Sequence, residues 1–342
     1  MLQIDGSYGE GGGQIVRTAV ALSVSTKTPV EITNIRARRP EPGLKAQHHT
    51  AISCMKALCN AKTEGLQIGS STVRFTPGEV KSGNYRFDIG TAGSMILVFQ
   101  PCILCAVHAT KPVTITLTGG TDVKWAPSWD YFTNVFLPLL KKMGVSIDFQ
   151  LRRRGYYPKG GGEASVTIHP CDNIKPLNLD RTEEFGHVDG NIHIAGLPDH
   201  ISKRMKHAVL RTFMKTNIEP RITIEKMESI SPGTGITLWA ISDNTILGAA
   251  VPGERGVSSE KIGETTADYL IKEIESGATL DIHVIDQLLA FMASVKNRSS
   301  SCRVQQLSNH VQTTLWLLQQ FFNFSWKKQE DDKIIRLTVT PK

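Results

Sequence analysis

The sequence predicts an α/β fold: repeated strand–helix–strand–helix–strand units, sheet on one side and helices on the other, with a smaller α/β unit inserted into the last. Three observations carry this prediction. A glycine-rich loop, an apolar helix and the segment Thr26-Lys-Thr-Pro-Val-Glu-Ile-Thr33 recur as Ile89-Gly-Thr-Ala-Gly-Ser94, an apolar helix and Thr110-Lys-Pro-Val-Thr-Ile-Thr116. Each copy is followed by a second helical pattern and then by strand signals. Between about 183 and 277 the texture changes to four strand signals interleaved with two helical ones.

In chain order, a short apolar strand ending near Ile4 enters the first glycine loop. Val16, Val20, Ala21 and Val24 then mark the first helix, and 26–33 the next strand. The second helix falls near 43–61, with Ala51, Met55 and Leu58 on one face, before the strand Val73-Arg-Phe75. In the second copy the corresponding helix lies near 127–143, with Phe132, Phe136 and Leu140, before the strand at 145–151. A third copy is expected to open on the strand Ala164–His169 and to resume with helices near 281–295 and 310–322 and a strand at 333–339. Strands at 187–195, 221–227, 236–242 and 246–250, with helices near 198–215 and 258–275, form the insertion. The expected division is therefore a large catalytic domain, 1–182 with 278–342, and a small inserted domain, 183–277.

The chain has 342 residues, 40% hydrophobic and 21% charged, as ordinary globular proteins do. No run of eighteen apolar residues occurs, so no membrane partner is expected, and no signal peptide is evident. A formal charge of +7 suits an anionic partner without the excess of a dedicated nucleic-acid binder. Arg36, Arg38, Arg39 and Lys45 form one basic cluster. Arg152, Arg153, Arg154 and Lys159 beside Tyr156 and Tyr157 form another, readable equally as a nucleic-acid contact or as a solvated rim. Cys102 and Cys105 lie within an apolar run with no second pair to complete a zinc site. They read as buried helix cysteines in a reducing compartment: cytoplasm, or nucleus in a eukaryote.

The loop at 4–17 is the most informative stretch. Five glycines, Gly6, Gly9, Gly11, Gly12 and Gly13, precede a helix. Glycine lets backbone N–H groups approach a ligand closely, and the helix start favours an anion such as phosphate. Neither of the common phosphate-loop patterns fits: no lysine follows the glycines, and Gln14 stands where a third spaced glycine would be. Glycine alone would equally describe a flexible turn. Glu10, Gln14 and Arg17 beside it favour a divalent metal and a nucleotide.

Gly6–Arg17, Arg36–Leu44 with Gln47 and His48, Gly90-Thr-Ala-Gly-Ser94, Gly119-Gly-Thr-Asp122, Gly155–Gly162 and Asp286-Gln287 together resemble the RNA 3'-terminal phosphate cyclase family, in order and over essentially the whole chain. The resemblance implies repeated α/β units with an inserted domain. It also implies ATP-dependent conversion of an RNA 3'-phosphate to a 2',3'-cyclic phosphate. A histidine takes AMP from ATP, AMP passes to the RNA 3'-phosphate, and the neighbouring 2'-OH displaces it.

His310, in Ser308-Asn-His-Val-Gln-Thr-Thr314, is the implied nucleophile; Thr314 stands where asparagine is expected in many members. Glu10 matches the ligand of the divalent metal, Mg2+ or Mn2+. Arg17, Arg36, Arg39 and Gln47 match positions that contact phosphates or the RNA end. Gln14, Pro127, Asp286 and Gln287 fall to the nucleotide pocket, with His283 where an aromatic ring would flank adenine. The implied partners are RNA 3'-phosphate ends and ATP, and a homodimer is left open.

Three other readings stand beside this one. A cyclase-like factor of ribosomal RNA processing without cyclase activity would lack the histidine. A small-molecule transferase of related repeated architecture, such as an enolpyruvyl transferase, would not need the basic–aromatic loops. A plain RNA-binding module would leave Glu10 and His310 without a role.

Overall fold

Three four-stranded sheets of a single topology recur along the chain in the computed structural model, which describes residues 1–342 apart from Thr182 and Asp332. The first unit comprises β1 (Leu2–Asp5), α1 (Gly13–Thr26), β2 (Val30–Thr33), α2 (Ala46–Cys59), β3 (Lys62–Glu64) and β4 (Val73–Thr76). The second comprises β5 (Gly83–Asp88), α3 (Ile96–Ala106), β6 (Val113–Gly119), α4 (Trp129–Tyr131), α5 (Leu137–Lys142), β7 (Ile147–Arg153) and β8 (Gly162–Ile168). A π-helical turn, Phe132–Phe136, joins α4 to α5.

The third unit opens on β9 (Asn178–Leu179) and is interrupted at once. Into it come β10 (His187–Ala195), α6 (Asp199–Phe213), β11 (Pro220–Lys226), β12 (Gly233–Ile241), β13 (Ile246–Pro252) and α7 (Ser259–Ser276). It resumes with α8 (Val284–Ala293), β14 (Ser300–Val304), α9 (Asn309–Phe321), β15 (Phe324–Asp331) and β16 (Ile334–Pro341).

In every unit the first strand lies parallel to the second, the second antiparallel to the fourth, and the third at the edge against the fourth. The parallel pair needs a crossover, which α1, α3 and α8 supply. The strand at 164–169, expected to open the third unit, instead closes the second: β8 pairs antiparallel with both β6 and β7. The true opening strand is two residues long, too short for any alternation to register.

Residues 187–252 form a separate sheet, ordered β11-β10-β12-β13, on which α6 and α7 pack. Its apolar cluster includes Val188, Ile192, Met205, Val209, Phe213, Leu238 and Leu270.

The crossover helices α1, α3 and α8 form the buried centre, and each leaves one short stripe uncovered. α3 buries every residue but Leu97 and Gln100, and α8 every residue but Asp286 and Gln287. In α1 the open positions after Gly13 are Gln14, Arg17 and Thr18, then the C-terminal Ser25 and Thr26. Steps of three and four residues keep such positions on one helix face. Gln14, Arg17, Thr18, Leu97, Gln100, Asp286 and Gln287 line a single cleft, whereas Ser25 and Thr26 lie outside it.

Candidate active site

Packing, more than flexibility, dictates the first glycine loop. A Cβ on Gly9 (φ +57°) would lie 2.4 Å from Thr313 Oγ1 on α9, and one on Gly13 would lie 1.9 Å from His48 Nε2. His48 is buried against α1, and desolvation pushes its pKa down to about 2. It is therefore a neutral helix-capping group, its Nδ1 accepting from Lys45 N at 3.2 Å. Tyr8 stacks on Trp316 of α9, with ring centroids 3.8 Å apart. These contacts seat the N-terminal loop on a helix some 300 residues away in sequence. No side chain caps the first turn of α1, whose backbone N–H groups are left for an anion.

On that shared surface, Ser308 caps α9 by accepting from Val311 N, and His310 stands exposed in the first turn. Its Nε2 lies 3.3 Å from Glu10 Oε2, and its Nδ1 lies 2.5 Å from Gln14 Oε1. Gln14 Nε2 donates to Thr314 Oγ1 at 2.7 Å and faces Asp286 Oδ2 at 3.5 Å. Arg39 reaches Glu10 from the other side, 3.6 Å away. Arg36 has a left-handed backbone (φ +54°) and donates to the carbonyls of Glu41 and Gly43. Burial, and then Arg39, lower the pKa of its guanidinium.

The adjoining cleft has a volume of about 460 Å³. Gln14, Arg17, Pro127, His283, Asp286, Gln287 and His310 line it, and Ala250 and Pro252 arrive from β13 of the inserted sheet. Desolvation brings the Arg17 guanidinium down to about 10 against the pull of Asp286. The same effect, helped by Asp281, pushes the Asp286 carboxyl up to about 7. Gln287 Oε1 accepts from Gln100 Nε2 at 2.5 Å. The arrangement offers an apolar slot for a flat ring, cations for phosphates, and an exposed imidazole and carboxylate at one end.

The family scan matches the RNA 3'-terminal phosphate cyclase model over residues 8–327. The chain belongs to the RNA 3'-terminal phosphate cyclase family of enzymes. Relatives named RNA 3'-terminal phosphate cyclase include one from Nitrosospira multiformis, 41% identical over 100% of this chain and 97% of its own. Another, from Archaeoglobus fulgidus, is 42% identical over 98% of this chain and 99% of its own. A third, from Pyrococcus furiosus, is 41% identical over 94% and 93%. Among solved structures, the enolpyruvyl transferase NikO from Streptomyces tendae aligns at a TM-score of 0.38 and 8% identity, over 98% of this chain and 47% of that one. The family is the one the motifs pointed to.

Within this cyclase-family fold, not every residue singled out in the sequence faces the cleft. Glu10, Arg36 and Arg39 do not line it: Glu10 lies between His310 and Arg39, Arg36 lies close to Arg39 and Arg17, and Gln47 Oε1 accepts from Ser94 N at 3.1 Å in the second glycine loop. The second basic cluster divides: Arg152, Arg153, Tyr157 and Lys159 are exposed, whereas Arg154 is a folding device. Arg154 is 1% exposed and pairs with Asp122 (3.0 Å), Asp130 (2.9 Å) and Glu225 (2.5 Å). Arg152 pairs with Glu163, and Arg153 donates to Gly161 O. A guanidinium this deeply buried and paired with three carboxylates is out of reach of RNA. Asp122, Asp130 and His193 form the one metal-like group among the described residues, and Arg154 already fills it.

Sequence reasoning missed Gln100, although a single polar residue within the apolar run 96–106 was the available signal. It also missed Ala250 and Pro252, for which no local signal exists.

Proposed function

We propose that this chain converts RNA 3'-phosphate ends to 2',3'-cyclic phosphates at the expense of ATP, through a covalent His310–AMP intermediate. The observation that carries the reading is the meeting of His310 with Glu10 and Gln14 at the mouth of a nucleotide-sized cleft. Pro127 and His283 would flank adenine, and Asp286 and Gln287 would face its polar edge or the ribose. Arg17, with the uncapped start of α1, would bind the phosphates of ATP, while Arg36 and Arg39 would hold the RNA phosphate. Gln47 would brace the second glycine loop beside them.

Glu10 fits a divalent cation. A single carboxylate with substrate phosphates is the usual Mg2+ arrangement, and Mn2+ accepts the same oxygen donors. Such an ion would neutralise charge developing on phosphate oxygens. The protein's own groups do the rest: His310 supplies the nucleophile, the arginines align the phosphates, and the apolar wall excludes water.

Residues 1–182 with 278–342 are read as the catalytic body and 183–277 as an inserted domain. Six unpaired cysteines favour a reducing compartment, the cytoplasm. Among the described residues, no helix is long and apolar enough to cross a membrane.

The test is an RNA oligonucleotide ending in a 3'-phosphate, incubated with ATP and Mg2+. The expected result is a cyclic end resistant to phosphatase, with one AMP and one pyrophosphate released per end. An unchanged 3'-phosphate, or cyclisation without ATP, would sink the proposal.

A further inference from the structure

The consecutive arginines at 152–154 have three different fates. A bulge between Leu151 and Arg153 re-aims the side chains at the end of β7. Arg152 is taken up by Glu163, which Arg86 also approaches at 3.5 Å, and Arg154 is buried among carboxylates. Arg153 is exposed and uses only its Nε, which donates to Gly161 O at 2.7 Å. Its two terminal nitrogens have no partner among the described residues, and neither has the ammonium of exposed Lys159.

The neighbouring tyrosines divide in the same way. Tyr156 is buried, and its hydroxyl meets His193 Nδ1 of the inserted sheet at 2.7 Å. Tyr157 beside it is 79% exposed. The turn that carries it is braced: Gly160 N donates to Tyr156 O at 2.8 Å and Lys159 N to Ser231 Oγ at 3.2 Å. A Cβ on Gly161 would lie 2.3 Å from Ile230 Cδ1. A braced turn has already lost the freedom that binding would otherwise remove, so its exposed ring is ready to stack.

The same turn packs on the second glycine loop. A Cβ on Gly160 (φ +67°) would come within 2.7 Å of Thr91 O and 2.9 Å of Ala92 Cα. Gln47 holds that loop through Ser94 N, and the next residue, His48, packs on Gly13 at the start of α1. A chain of contacts therefore runs from the start of α1 through 47–48 and 91–94 to Tyr157, Arg153 and Lys159.

We propose that Tyr157, Arg153 and Lys159 form a docking site for the single-stranded RNA that precedes the 3' end. The ring stacks on a base and the two cations meet backbone phosphates. The site rests on the cyclase reading, in which the RNA end lies with Arg36, Arg39 and Gln47. Transfer between phosphates needs the incoming oxygen in line with the departing group, hence on the side of the phosphorus away from His310. α1 packs against α9, which carries His310, and against α2, which carries Gln47. The strand then leaves along the second glycine loop toward the turn at 155–162. Stacking and phosphate contacts read no sequence, so this surface lengthens the grip on RNA without choosing among RNAs.

The test measures binding of the full chain, without ATP, to a dinucleotide and to a ten-nucleotide RNA, both ending in a 3'-phosphate. Wild type should hold the longer RNA more tightly. Tyr157→Ala should weaken the longer RNA about tenfold and Tyr157→Phe less than twofold, while the dinucleotide stays within twofold for both. Arg153→Gln combined with Lys159→Gln should lower the slope of log affinity against log salt by about 1.4, two phosphate contacts on a single strand. Equal wild-type affinity for the two RNAs overturns the proposal, as does an equal loss for both in Tyr157→Ala. An affinity for the longer RNA that none of the substitutions moves also overturns it, and leaves the surface to a protein partner or to water. Wild type that binds as expected but does not cyclise the end supports the docking site and removes the cyclase reading instead.

Discussion

Glu10 sits 3.3 Å from one nitrogen of His310 and 3.6 Å from Arg39, so its carboxylate is shared between the proposed nucleophile and a guanidinium proposed to hold a phosphate. Its side chain is about one-third exposed, which leaves oxygen lone pairs open to a metal. Glu10→Ala should therefore keep the fold and lose most adenylation at low Mg2+, with partial recovery as Mg2+ is raised. A titration of rate against Mg2+ reads this directly, and an unchanged curve contradicts the metal role. At this scale the sequence was partly legible. The glycine loop, Glu10 and Arg17 suggested a phosphate and metal site from residue type alone, and the structure brings Glu10 beside His310 and puts Arg17 in the cleft. His310 could be singled out only through the family resemblance, because a histidine in a helix's first turn carries no signal of the partners it meets about 300 positions away.

Helices were the elements best read from sequence, and short strands the worst. α6, α7 and α9 follow the expected spans closely because their apolar periodicity is strong. β9, with two residues, and β14, opening on two serines, carry no comparable pattern and are defined by their pairing partners.

Within α7 one residue conflicts with its surroundings. Glu273 is 5% exposed, its Oε2 has no hydrogen-bond partner among the described residues, and burial beside Asp281 pushes its pKa up to about 8. The folded state thus keeps a proton that the unfolded chain releases near pH 4.5. Between about pH 4.5 and 8 the folded form binds more protons, so this group's contribution to stability falls as pH rises, by at most about 1.4 kcal/mol per unit. Glu273→Gln should flatten that slope and raise the denaturant midpoint at pH 8 relative to wild type. Equal midpoints for the two proteins at pH 5 and pH 8 alike would contradict it.

Across the whole molecule, the inserted sheet is coupled to the cleft beside His310. Arg154 ties Asp122 and Asp130 of the second unit to Glu225 of the insertion, and His193 on β10 reaches Asp122 at 3.3 Å. Ser128, one residue after Pro127, shares a 2.8 Å hydrogen bond with Thr237 on β12. The insertion therefore braces the loop that carries Pro127 and adds Ala250 and Pro252 to the cleft wall. Thr237→Val should raise the ATP concentration for half-maximal adenylation a few-fold, about what one hydrogen bond contributes, while the saturated rate stays within twofold. A fall in the saturated rate alone would place Thr237 in the chemistry instead. None of this coupling was visible in sequence. Arg154 looked like its two arginine neighbours, and only the fold separates the one that is buried.

The most direct measurement is to locate AMP on the protein. The full chain is incubated with ATP and Mg2+, digested under mildly alkaline conditions and mapped by mass spectrometry. The account predicts a single adenylated peptide containing His310, no such peptide from His310→Ala, and loss of the modification in acid. AMP on any other residue, or none on a folded protein that still cyclises RNA, would contradict it.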